Sequence, residues 1–164
     1  MRNFESTLII FLIEYEKGPE KLAEAIKDAP KELLNFRPNL EGAWTISEHV
    51  RHVVDNEFNF ILRAKMSIAE PGASVMMLDE EAWARVVYQI DEDLNEYLKL
   101  FQVLRTLFAR FVREMDVNLL EKAWINHPKR GRTSFLDLLK IYAEHVDFHL
   151  EFIERNKSIW LSSK

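Results

Sequence analysis

Two of the five histidines in this 164-residue chain carry the strongest local signal for chemistry, in the pattern His145-x-x-x-His149. Residues four apart on a helix lie one turn apart on one face, so two such imidazoles can converge on a single ion. At roughly 100° per residue, both fall within the apolar stripe of Leu138, Tyr142, Val146 and Ile153. The spacing therefore predicts that they point into the protein rather than into water. Two adjacent buried imidazoles without an ion are costly, because each needs a partner and both resist charging. The competing readings are a pair of hydrogen-bonded core histidines and surface residues at chance spacing.

A third ligand has to come from another element, and His49-x-x-His52 offers two candidates. The apolar stripe of that segment is Ile46, Val50, Val53, Phe60, Ile61 and Ala64. His49 lies nearer to the stripe and His52 further round, so periodicity alone does not choose between them. Glu57 falls near the centre of the same stripe. A carboxylate there is unexpected unless it is paired, protonated or close to a metal. Glu57 is thus a candidate catalytic base or extra ligand, with a buried Glu–Arg pair as the rival reading. Asp55 is spaced to orient an imidazole N–H, or else is a solvated surface residue. Lys129, Arg130 and Arg132 form a short basic loop ahead of the HxxxH helix. Arg130 and Arg132 are candidates for receiving the carboxylates of an anionic substrate, against the ordinary reading of a solvated loop. His127 sits in that loop without a ligand pattern of its own.

Other chemistries lack their residues. With no cysteine, disulfides, thiolate metal sites and a cysteine nucleophile are excluded. No Gly-rich phosphate loop or Gly-x-Ser-x-Gly elbow is present. A formal net charge of −5 argues against nucleic acid as a partner, since phosphate binding draws on clustered Lys and Arg.

The elements that must position these residues read as helices. Only four Gly and five Pro are present, too few for the many tight turns of a β-rich fold, so few long elements are favoured. Residues 3–17 read as a short N-terminal helix stopped by Gly18-Pro19, and Pro19 as the first turn of a second helix reaching about Asp28. Residues 29–43 read as a connection with one helical turn at Glu32–Asn35. Thr45 and Glu48 form a capping box that opens a helix to about Ala69, ended by Pro71-Gly72. Asp79 caps a short segment carrying Trp83 and Val86. A long amphipathic helix follows from about Asp91 to Met115, then a loop, then a last helix capped by Ser134 with Asp137 in the box position. Helices of this kind pack most simply as an antiparallel bundle in one domain, 1–164. The longest apolar run, Leu8 to Ile13, is too short to cross a bilayer, and the chain reads as cytoplasmic. That run has to be covered, either by the core or by a second copy in a homodimer.

With these motifs in order, the sequence resembles the DinB superfamily, most closely its YfiT-like branch of four-helix metal-dependent enzymes. The likeness rests on Trp44-Thr45-Ile46-Ser47-Glu48-His49-Val50-Arg51-His52 with Glu57 five residues beyond. It rests also on Asp79-Glu80-Glu81-Ala82-Trp83, on His127-Pro128 with Gly131-Arg132-Thr133, and on Tyr142-Ala143-x-His145-x-x-x-His149. It spans roughly residues 18–155.

The resemblance implies an all-α, antiparallel four-helix bundle with an extra short N-terminal helix. It implies a divalent metal, zinc or nickel, on His52, His145 and His149, and leaves His49 in a position usually apolar in the family. It implies a hydrolase, or a transferase using a low-molecular-weight thiol such as bacillithiol as co-substrate. Three imidazoles leave an ion with open positions, which favours catalysis over a structural site. Water and a thiol would both be acidified there, so the ligand set does not separate the two reactions. The alternative is a bundle in which the ion only staples the helices. It predicts a fourth protein ligand, such as Glu57, and no cavity.

Overall fold

The computed structural model describes residues 2–164. Four long helices dominate: α1 (Arg2–Ile26), α3 (Ile46–Ala69), α5 (Leu94–Glu114) and α7 (Phe135–Ser162). Shorter pieces join them: α2 (Lys31–Leu34), α4 (Glu80–Val86), α6 (Val117–Lys122) and a hairpin of β1 (Trp124–His127) with β2 (Gly131–Ser134). Among the described residues no helix is long and apolar enough to cross a membrane.

The capping boxes form as the sequence predicts. Thr45 accepts from the Glu48 backbone while the Glu48 side chain takes the Thr45 N–H, and Ser134 and Asp137 repeat the arrangement at α7. Each box sets the start of a helix that carries histidines.

Packing sorts the bundle into two apolar layers. One end joins Leu8, Leu12 and Tyr15 of α1 to Phe60 and Ala64 of α3, Phe108 and Val112 of α5, and Phe135 to Tyr142 of α7. The other joins Leu22 of α1 to Ile46–Val54 of α3, Leu94 and Phe101 of α5, and Val146 and Ile153 of α7. Helices α1 and α7 therefore run one way and α3 and α5 the other. Each of α1 and α3 packs on both α5 and α7, which puts α1 diagonally across from α3 and α5 across from α7. The long connections over 27–45 and 115–134 make these diagonal crossings, and the second holds α6 and the hairpin.

Two local expectations are corrected. The N-terminal segment is not an extra short helix followed by a second one: α1 runs unbroken through Gly18 and Pro19. Pro19 has no N–H to give the Tyr15 carbonyl four residues back, which ordinarily kinks or breaks a helix. Here Arg105 of α5 donates Nη1 to that carbonyl at 2.5 Å. A Cβ on Gly18 would run into the same guanidinium, so glycine is what lets Arg105 reach in. The second correction is the loop before α7. It contains a two-stranded antiparallel hairpin with His127 opposite Gly131 and Trp124 opposite Ser134. Gly131 at φ +68 supplies the left-handed residue that a three-residue hairpin loop needs. Residues 72–75 bond along the other edge of β1, through Gly72 N–H to the Trp124 carbonyl and Asn126 N–H to the Ala73 carbonyl.

Candidate metal centre

His52 stands in the second turn of α3, and His145 and His149 face it from α7. One ring nitrogen from each lies within 4.8 Å of the others, and among the described residues these three make the group of ligand-type side chains that converges in this way. The Nε2 atoms of His145 and His149 are 3.0 Å apart. Two imidazole nitrogens each about 2.0–2.1 Å from a tetrahedral ion stand about 3.3 Å apart, so the pair is within a few tenths of an ångström of ligand separation. His52 and His149 are buried and His145 is nearly so.

Electrostatics favour the neutral, ligating form. Burial lowers the His52 pKa to about 4 and the His145 pKa to about 3, the latter helped by His52 and Arg105. Burial also pushes His149 far below the ordinary imidazole range, with His145, His52 and His49 adding to the effect. His145 Nδ1 and His49 Nε2 are buried with no hydrogen-bond partner. Three neutral imidazoles, His52, His145 and His149, brought together at this desolvation cost fit a divalent cation, which takes their lone pairs without requiring any proton to be lost.

Neighbouring rings hold the cluster. Trp44, just ahead of α3, meets His52 edge-on at 5.0 Å and lies over His149 at 6.4 Å. Asn156, fully buried on α7, donates to the Trp44 carbonyl at 2.8 Å and so keeps that indole in place. Asn56, one turn after His52, lays its side-chain amide against that ring, with Nδ2 2.9 Å from Nε2 and 3.3 Å from Nδ1. Tyr142 sets its edge against His145 at 5.7 Å. His49 is not one of the convergent three. It lies behind His149, Nδ1 to Nδ1 at 3.0 Å, with its ring stacked on Phe152.

The cluster opens on a cavity of about 1230 Å3 whose wall includes all four histidines with Trp44, Asn56, Phe148 and Phe152. Arg63, Lys129, Arg130 and His127 line its hairpin side. His127 accepts the Lys129 and Arg130 backbone N–H groups on Nδ1, at 3.2 and 3.3 Å, which leaves its proton on Nε2. Burial, with Arg63, Arg130 and Lys129, lowers its pKa and keeps the ring neutral.

The remaining sequence candidates divide. Arg130 reaches the cavity, whereas Arg132 does not and lays its guanidinium over the Trp124 ring at 4.4 Å. Glu57 neither joins the histidines nor lines the cavity. Its carboxylate accepts from the Tyr15 hydroxyl and from Arg105 Nε, the latter at 3.1 Å, in a fully buried pair. Burial pushes the Glu57 carboxyl up, opposed by the Arg105 guanidinium and the Tyr15 hydroxyl. The expected base or ligand is thus engaged by Arg105, the arrangement raised as the rival reading. Asp55 bonds Tyr88 and not an imidazole. Sequence reasoning missed Asn56 and Asn156. The first carried a signal, because a polar residue four past His52 shares its face; the second carried none.

Comparison with known proteins agrees with this architecture. A family model described as the DinB superfamily matches residues 14–153. A Bacillus cereus protein named "Putative metal-dependent hydrolase" is 29% identical over 150 residues, covering 91% of this chain and 84% of its own. A protein with the same description from Bacillus thuringiensis subsp. konkukian matches to the same extent. Among solved structures, YfiT from Bacillus subtilis, described as a probable metal-dependent hydrolase with an unusual four-helix bundle topology, superposes with a TM-score of 0.82. It is 23% identical, over 92% of this chain and 85% of that one, so the likeness is one of fold.

Proposed function

The chain belongs to the DinB superfamily, and from that premise we propose that it is a metal-dependent hydrolase acting on a small molecule, with a divalent ion held by His52, His145 and His149. The observation that carries the proposal is the convergence of three buried, neutral imidazoles at the wall of a cavity. The names of the Bacillus relatives support the reaction class. Nitrogen-only ligation suits zinc first and nickel second. Bound there, the ion supplies Lewis acidity that polarises an electrophile and makes water or a thiol easier to deprotonate near neutral pH.

The protein's own groups have separate tasks. Asn56 packs its side-chain amide against the His52 ring and limits its rotation. Trp44, Phe148 and Phe152 line the cavity beside the histidines with apolar surface that limits water. Arg130 and Lys129 at the hairpin side favour a substrate with an anionic group away from its reacting centre, and His127 offers that group a neutral N–H. Glu57 is left out of this scheme because its oxygens are occupied by Arg105 and Tyr15. A purely structural ion fits less well, since that reading predicts a fourth protein ligand, such as Glu57, and no cavity.

The test is metal analysis of untagged protein, followed by assays of the zinc- and nickel-loaded forms against activated esters and amides. Water alone, bacillithiol and glutathione would serve as nucleophiles in parallel. Hydrolysis in water that disappears in His145→Ala supports the proposal. Turnover only with a thiol converts it to a transferase, and activity that survives His145→Ala overturns it. We also place the protein in the cytoplasm as a homodimer. Ile9, Ile10 and Ile13 of α1 are each about half exposed and present apolar surface to a second copy. Sedimentation of the purified protein would test the dimer, and a monomer at all concentrations would exclude it.

A further inference from the structure

We propose that His49 is the positioning residue for His149, holding it in the one tautomer that can ligate; the inference rests on the metal reading above. The Nε2 atom of His149 is the one that faces His145 Nε2, at 3.0 Å, and so the one placed to meet an ion. An imidazole that gives its Nε2 lone pair to a metal carries its proton on Nδ1, and ligating histidines nearly always donate that N–H to an acceptor that fixes the ring. Apart from His52 and His145, whose lone pairs go to the ion, the other rings around His149 are those of Trp44, Phe148 and Phe152, which offer no hydrogen-bond acceptor in the ring plane. The acceptor in reach is His49 Nδ1, at 3.0 Å.

His49 is itself immobilised. Its ring lies 8° from parallel with Phe152 at 5.3 Å, is tilted on Trp44 at 5.4 Å, and is 95% buried. It precedes His52 by one helical turn. One stretch of α3 therefore supplies both a ligand and the group that orients a ligand on α7. Accepting on Nδ1 obliges His49 to carry its own proton on Nε2, and that atom is buried without a protein partner. A carboxylate in this place would lend negative charge to the ligand. A neutral imidazole orients His149 while leaving the ion more electrophilic.

Zinc affinity, measured by competition with a chromophoric chelator, tests this in wild type, His49→Phe and His49→Asn. Phenylalanine keeps the stacking and removes the acceptor; asparagine restores an acceptor near the Nδ1 position. The expected result is binding weakened about 10–100-fold in His49→Phe and largely recovered in His49→Asn. Nitrogen-15 spectra of the zinc-loaded wild type should show His149 protonated on Nδ1. Wild-type zinc affinity in a folded His49→Phe overturns the role, as does coordination of His149 through Nδ1. If His49→Phe fails to fold, the tautomer in the wild type decides alone. Wild-type protein that binds no zinc or nickel removes the metal reading itself, whereas unaffected binding in His49→Phe removes only the positioning role.

Discussion

His145 and His149 earn their place by spacing and direction, and His52 by what faces it. Substituting one ligand leaves two imidazoles, so His145→Ala should lose bound metal almost completely on dialysis and weaken zinc binding by more than about 100-fold. Retention of one equivalent by elemental analysis would contradict the assignment. The same side chains predict an acid response. In the fold, burial lowers His52 to about 4 and His145 to about 3, while in the unfolded chain they return to the ordinary value of about 6.5. The unfolded state therefore binds more protons below that value. Stability is fully present above it and is lost as pH falls from about 6.5 toward the folded-state values. The melting temperature of metal-free protein should fall measurably between pH 7.5 and pH 5, a range in which ordinary carboxylates change little. A flat profile would mean these imidazoles are solvated.

At the scale of elements, Arg105 ties the bundle together. From α5 it bonds the Tyr15 carbonyl of α1, Glu57 of α3 and the Tyr142 carbonyl of α7. Glu57→Leu would leave this guanidinium buried without its counter-charge, a change that costs about 3–5 kcal/mol in comparable pairs. The folded fraction of that variant should still bind metal. Loss of metal at unchanged stability would return Glu57 to the site. Gly18→Ala should cost about 1–3 kcal/mol, because the added methyl meets Arg105 where nothing can yield cheaply. Chemical denaturation would measure both. The helix stop read at Gly18-Pro19 failed for this reason. Local rules register the missing N–H and the missing Cβ, and both are answered by a residue 87 positions from Gly18.

For the whole molecule, an ion held between α3 and α7 binds the native state and not the unfolded one. Zinc at about 100 times its dissociation constant should then add about 2.7 kcal/mol, raising the melting temperature by roughly 5–10 °C for a chain of this size. Chelator should reverse the shift. An unchanged melting curve with zinc in excess would mean the two helices are not bridged.

What the sequence alone determined is what repeats along a helix. The capping boxes at Thr45 and Ser134, the long amphipathic segments and the inward direction of His145 and His149 follow from contacts within a few residues, which local spacing encodes. Family likeness, also legible there, pointed to His52. Only the tertiary structure decided which histidine of α3 meets the pair and which lies behind it. It alone showed that Glu57 is taken by Arg105, that Arg130 lines the cavity while Arg132 does not, and that β1 and β2 pair. Each of these depends on the rotation and axial height of one element against another. Packing across the core sets those quantities, and periodicity within a single segment carries no record of them.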